Sequence, residues 1–124
     1  DQLWFFSNRE EGPPRPVEPG IHGLSNGRLN EAWPKTRSGR EQLREALANG
    51  KDHQDLHTIL RDDRQPPDRE LPDTGVGLDM ERLVAPIFIR TPQYRTRAST
   101  SLFMPRQGTP ELREQRWDRD GNPL

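Results

Sequence analysis

Ile21–His22–Gly23–Leu24–Ser25–Asn26 runs on through Gly27–Arg28–Leu29–Asn30 to Trp33–Pro34–Lys35. An apolar start, a turn rich in Gly and Asn, and a proline suited to the first turn of a helix follow one another here. The stretch reads as a strand that turns and enters a helix. Such a join presents polar side chains, here Ser25 and Asn26, at the edge of a cleft, where loops held on a rigid frame bind ligands or do chemistry.

Upstream of this stretch, Leu3–Trp4–Phe5–Phe6 is short, continuous and apolar, so it reads as a buried strand ending at Ser7–Asn8. The segment 9–16 carries Gly12 and prolines at 13, 14 and 16, and reads as a polar loop because proline removes ladder donors. Residues 17–24 return as a second strand. Downstream, Pro34 opens a helix in which Thr36, Gly39, Leu43, Ala46 and Leu47 recur at three- and four-residue spacing, closed by Asn49–Gly50. Asp52 caps a second helix with Leu56, Ile59 and Leu60 on its apolar face. Residues 64–77 form a Pro- and Gly-punctuated loop, and residues 78–85 a helical turn or more. Ile87–Phe88–Ile89 is a strand, Pro92–Gln93 turns it, residues 94–104 return with period-two alternation, and residues 111–117 make a last strand. The predicted order β-β-α-α-β-β-β is that of an α+β fold: antiparallel sheet with a helical hairpin on one face.

Composition sets limits on this fold. The 124 residues have room for one domain at most, yet only 28% are hydrophobic, against a norm of roughly 45–50% on a count that includes Gly. The chain is therefore expected to be a piece of a larger fold or to lean on a partner. It begins at Asp1 and enters an apolar run almost at once, which is read as sequence missing upstream. Nineteen basic against twenty acidic residues leave a net charge of −1, so no field draws in nucleic acid or a membrane surface. There is no cysteine, hence no disulfide, thiolate metal site or cysteine nucleophile within these residues. No apolar run approaches the roughly 20 residues that span a bilayer, and no signal peptide is visible. The expectation is a cytoplasmic protein with no membrane insertion.

The string Gly-Leu-Ser-Asn followed by Trp-Pro-Lys, within residues 21–35, resembles the NRDE family, also called the transport and Golgi organization family. Leu71–Pro72–Asp73–Thr74–Gly75–Val76–Gly77, Pro86–Ile87–Phe88–Ile89, Tyr94 through Thr96–Arg97–Ala98–Ser99–Thr100, and Trp117–Asp118 before Asp120–Gly121 continue the match in order. It covers nearly the whole chain from Trp4 to Gly121, as roughly the C-terminal half of one such domain. The resemblance implies an N-terminal-nucleophile-hydrolase-like αββα sandwich, two antiparallel sheets between helix layers. There a cysteine at the mature N-terminus attacks and its own α-amino group serves as base. Asn8–Arg9–Glu10–Glu11 follows the wrong strand to be the family's Asn-Arg-Asp-Glu box, so the nucleophile is expected in an N-terminal half outside these residues.

Gly23–Leu24–Ser25–Asn26 also resembles the Leu-Thr-Asn strand end of penicillin V acylases and bile salt hydrolases. That likeness implies Asn26 as a donor to the oxyanion, a contribution of about 3–4 kcal/mol where such donors have been measured. It implies Arg97 as the arginine that holds a thiolate or a substrate carboxylate, with Arg95 standing where the family carries Gly. No cofactor is implied. Haem enters as a carried ligand, because relatives are linked to haem trafficking, with His22, His53 or His57 as axial ligands.

Plainer readings stand beside these. Asn26 next to Gly27 can simply adopt a left-handed turn and bond its own backbone. Arg97 can be an outward strand residue paired with Glu111 or Asp118. His53 and His57 stand four apart, as metal ligands do, but no Glu or third ligand accompanies them. They read as solvent-exposed, and no metal is expected. Ser99, Thr100 and Ser101 lack both a Gly-x-Ser-x-Gly elbow and a partner histidine, and read as strand filling. Trp33 reads as the anchor where the chain enters its first helix, and Trp4 with Phe5 and Phe6 as core. Two functions stay open: hydrolysis of an amide-like bond, or non-catalytic carriage of haem or an acylated metabolite. The expected partners are that small molecule and the missing N-terminal half.

Overall fold

The structure, a computed structural model, describes residues 2–50 and 52–124. Among these residues it is an α+β chain with three α-helices and two small antiparallel sheets. Strands β1 (Trp4–Phe5) and β2 (Arg15–Pro16) pair antiparallel, and Val17 extends the ladder by donating to the Leu3 carbonyl at 2.8 Å. Helices α1 (Pro34–Ala48) and α2 (His53–Leu60) follow, then a 3-10 turn (Asp68–Glu70) and helix α3 (Leu78–Val84). Strands β3 (Ala98–Phe103) and β4 (Glu111–Arg116) form the second sheet, with Ala98 opposite Arg116 and Phe103 opposite Glu111. Helix α2 packs on α1 and on β3.

The helices follow their sequence signals. Pro34 sits in the first turn of α1, and Gly50 just past its end takes φ 63°. The Asp52 carboxylate accepts the backbone N–H groups of Gln54 and Asp55, while the Asp55 side chain accepts the Asp52 N–H, a reciprocal cap.

The strands depart from expectation. Residues 17–24 do not form a strand beyond the ladder end at Val17. Their polar groups are taken by side chains instead: the Ile21 carbonyl accepts Arg40 Nε–H at 3.0 Å, and Gly23 N–H donates to Asn30 Oδ1 at 3.0 Å. Residues 87–89 form no strand either. An isolated bridge joins Arg90 to Arg95, and Thr96 answers both polar groups of Ile89. The aromatic opening is not core in this chain: Trp4 is 58% exposed, and Leu3 and Phe6 are more so.

The core is small and lies elsewhere. Phe88 is fully buried and meets Trp117 edge-on, with ring centroids 5.3 Å apart. Arg61, at the end of α2, lies 4.7 Å over the Trp117 ring. Asp62 ties the neighbouring pieces together. Its carbonyl accepts Phe88 N–H at 2.8 Å, and its carboxylate accepts Gln42 Nε2 at 2.7 Å and Arg64 Nε at 2.7 Å. The outer face of the β3–β4 sheet is uncovered, with Leu102 and Leu112 paired across it and both more than half exposed.

Two outcomes follow. Arg64 hydrogen bonds hold the Asp62 carboxyl down at about 2, with burial acting in the opposite direction. Because the folded-state value is depressed, its stabilisation is present above the ordinary carboxylate pKa of about 4 and is lost as pH falls through about 2. Asp62→Asn should lower the urea midpoint at neutral pH and flatten its decline on the acid side. The uncovered leucines should make the folded chain enhance the fluorescence of a hydrophobic dye, and a dye-silent chain would contradict that.

Candidate functional site

The turn at residues 23–30 is closed by one residue. Asn30 adopts φ 65°, and among the described residues it is the non-glycine with positive φ. Its backbone N–H donates to the Gly23 carbonyl at 2.8 Å, its Oδ1 accepts the Gly23 N–H, and its Nδ2 donates to His22 Nδ1 at 2.8 Å. That last bond leaves the proton of neutral His22 on Nε2, which donates to the Glu18 carbonyl at 2.8 Å. Both ring nitrogens of His22 are thus engaged. The turn is pinned to α1 as well, since Arg40 holds Ile21 and Gly23 packs against the side chains of Arg40 and Thr36.

Between Gly23 and Asn30 the chain projects. Leu29 N–H donates to Glu10 Oε1 at 3.0 Å, and this bond, ahead of Arg15, holds the Glu10 carboxyl below its ordinary value. Glu31 folds back so that its carboxylate accepts Arg28 N–H at 2.8 Å and lies against the Gly27 α-carbon, where it takes the space a Cβ would need. Asn26 is exposed, and its side chain makes no hydrogen bond among the described residues. The left-handed, backbone-bonding asparagine of this turn is Asn30. No spacing in the sequence separates it from Asn26; its role comes from the bonds to Gly23 and His22.

The opposite wall comes from residues 72–84. Glu81 is buried and accepts both the backbone N–H of Thr74 at 2.7 Å and its hydroxyl at 2.6 Å. Gly75 and Gly77 take φ 85° and 84°, which lets the loop fold over the start of α3. Lys35 Nζ donates to the Val84 carbonyl at 2.7 Å. Burial pushes the Lys35 ammonium below its ordinary pKa, and the Glu81 charge pulls the other way.

Turn, α1 and α3 together bound an open cleft of about 680 Å³. Asn26 and Gly27, Trp33 and Lys35, Thr74 and Val76, Ile89, and Tyr94 all line it. Blocks far apart in the sequence therefore meet on one surface. The profile of the family described as Transport and Golgi organisation 2 matches residues 1–119. This chain belongs to the Transport and Golgi organisation 2 family. Curated relatives include the Transport and Golgi organization protein 2 homolog of Bos taurus, 29% identical over 121 residues, and that of Homo sapiens, 27% identical over 117. The Mus musculus homolog is 28% identical over 117 residues. Each match takes in 87% of this chain and 42% of the relative, so the chain spans about two fifths of the length of these relatives.

In this Transport and Golgi organisation 2 chain the structure does not bring Asn26 and Arg97 to one cavity. Arg97 is exposed just before β3 and lines a separate space of about 410 Å³ with Arg95, Arg116 and Arg119; among the described residues none lines both. The histidines also differ from expectation. His53 is 4% exposed, not solvent-facing, because the first turn of α2 packs on β3. Its Nδ1 lies 2.6 Å from Ser101 Oγ, and His57 Nε2 lies 3.0 Å from the same oxygen, so Ser101 does have partner histidines. Among the described residues no group of three or more His, Asp or Glu is placed to hold a metal, and no helix is long and apolar enough to cross a membrane.

Asn30→Ala should open the closed turn. It removes the acceptor of Gly23 N–H and the donor to His22, at a cost of about 1–3 kcal/mol. Amide hydrogen exchange at Gly23 should quicken, while the amides of α2 keep their protection.

Proposed function

We propose that this chain supplies the recognition and charge-stabilising wall of a small-molecule cleft in an N-terminal-nucleophile-hydrolase-like αββα sandwich. The complete cytoplasmic protein then cleaves an amide-type C–N bond of an acylated metabolite. Its attacking cysteine lies in an N-terminal half of the same domain. The observation that carries this reading is the meeting of the separated motifs on the one 680 Å³ cleft, a volume within the roughly 300–1,000 Å³ of small-molecule sites.

Roles follow from position. Asn26, exposed at the cleft edge with its amide uncommitted, donates to the carbonyl oxygen as it gains charge. Lys35, partly desolvated, offers a cation to an anionic group of the ligand. Val76, Met80 and Tyr94 give the acyl portion an apolar wall. Arg97 enters as the holder of a substrate carboxylate, acting from its own cavity. The uncovered sheet face with Leu102 and Leu112 is where the remaining half packs. Non-catalytic carriage is the second reading, and the cleft favours its acyl form over haem, because His22 commits both ring nitrogens and His53 and His57 are turned onto Ser101.

A dansyl-labelled lauroyl amide titrated into the 124-residue chain should give saturable fluorescence. Met80→Arg, which puts a charge on the apolar wall, should weaken that binding at least about tenfold, that is by 1.4 kcal/mol or more. Joined to its cysteine-bearing half, the protein should hydrolyse a lauroyl p-nitroanilide, and Asn26→Ala should cut kcat by about 10²–10³-fold. Binding without turnover selects carriage. Absence of saturable binding, or indifference to Met80→Arg, removes the cleft from consideration. Haem added to the chain should show no shift of its absorbance band.

A further inference from the structure

Away from the cleft, side chains from α2 and the β3–β4 sheet converge on the Ser101 hydroxyl. Ser101 is 5% exposed, and His53 Nδ1 and His57 Nε2 reach its Oγ at 2.6 and 3.0 Å. On the far side of the His53 ring, Nε2 has no hydrogen-bond partner among the described residues, and the Glu111 carboxylate stands 3.6 Å away. Phe103 meets the same ring edge-on at 4.3 Å and fixes its plane.

Proton bookkeeping decides the roles. A serine hydroxyl has one proton and each neutral imidazole one N–H. If His53 Nδ1–H donated to Ser101, its bare Nε2 would face the Glu111 carboxylate, lone pair against negative charge. The favourable arrangement is the other one: His57 Nε2–H donates to Oγ, the Ser101 hydroxyl donates to His53 Nδ1, and His53 Nε2–H faces Glu111. This is the relay of hydroxyl, imidazole and carboxylate found in serine hydrolases, with the two ring nitrogens exchanged. His57 occupies one Oγ lone pair, which leaves the other for attack.

Ser101 also lines a groove of about 510 Å³, where Lys35 and Arg40 stand at the side of an apolar wall of Leu43, Leu56, Ile59, Leu60 and Ile87. We propose that Ser101 is a base-activated nucleophile that takes the acyl group of a small aliphatic ester held in this groove. Ser101 Oγ forms a bond to the carbonyl carbon as its proton passes to His53 Nδ1. The C–O bond to the leaving alcohol breaks, and that alcohol takes the proton from His53. Water then attacks the acyl-serine, His53 accepting its proton and returning it to Oγ. Glu111 is a positioning residue whose carboxylate, 3.6 Å from Nε2, holds the His53 ring in the tautomer that leaves Nδ1 free to accept.

The 124-residue chain has no cysteine, so a fluorophosphonate probe reports on its hydroxyls, and the result is independent of the amide-cleft reading. One label per chain is expected, at Ser101 by tandem mass spectrometry, and none on Ser101→Ala. His53→Gln should slow labelling by about 10²-fold or more. Glu111 is an exposed side chain, so Glu111→Gln keeps the fold if His53→Gln does not; it should also slow labelling, with partial rescue by Glu111→Asp. Overturning results are a folded wild-type chain, checked by circular dichroism, that takes no label; equal labelling of Ser101→Ala; or a wild-type rate in folded Glu111→Gln.

Discussion

The contact between Phe88 and Trp117 is the interaction on which the rest of this structure depends. A chain so poor in apolar side chains cannot fill a broad core, so a single edge-on aromatic pair gathers the elements around it. Trp117 N–H continues the pairing of the second sheet by donating to the Arg97 carbonyl at 2.9 Å, and its indole N–H donates to Ser99 Oγ at 3.1 Å. Arg61 brings the end of α2 over the ring. Phe88 is fastened in turn by the Asp62 carbonyl. Helix, loop and sheet thus share one hydrophobic point, and hydrogen bonds do most of the remaining joining.

That economy explains what is legible in the sequence. The helices α1 and α2 are readable because their signals are local: Pro34 and Gly50 at the ends of one, Asp52 with Asp55 at the start of the other. The β3–β4 hairpin is readable because alternation decides its faces, with Ser99, Ser101 and Phe103 turned toward α2 and Thr100 and Leu102 outward. The strands at 17–24 and 87–89 are not readable in this way, because apolar runs propose strands while the partner of a backbone group is set by distant side chains. Arg40 and Asn30 capture the first segment, and Thr96 the second. Trp4 and Phe6 look like core by type, yet both stay more than half exposed.

For the site, order along the chain carries more than any single residue. Asn26 of the Gly-Leu-Ser-Asn stretch, Trp33 and Lys35 of Trp-Pro-Lys, and Thr74 and Val76 of Leu-Pro-Asp-Thr-Gly-Val-Gly face one another across a single cleft. The pairing of Asn26 with Arg97 is not such a property. One lies on the turn before α1 and the other beside the second sheet, where spacing says nothing of distance. The meeting of His53 and His57 with Ser101 is likewise invisible in the sequence, because it depends on how α2 is laid across β3.

The exposed Asn26–Gly27 pair has a chemical consequence of its own. Glycine places no side chain in the way of its own amide nitrogen, so that nitrogen can attack the Asn26 side-chain carbonyl, expel ammonia and close a succinimide ring. Ring opening by water then leaves aspartate or isoaspartate at the cleft edge. The Glu31 carboxylate folded over Gly27 and the amide of Arg28 it holds restrain that ring closure. An ageing preparation in which this restraint fails would exchange a neutral donor for an anion on the wall it shares with Lys35.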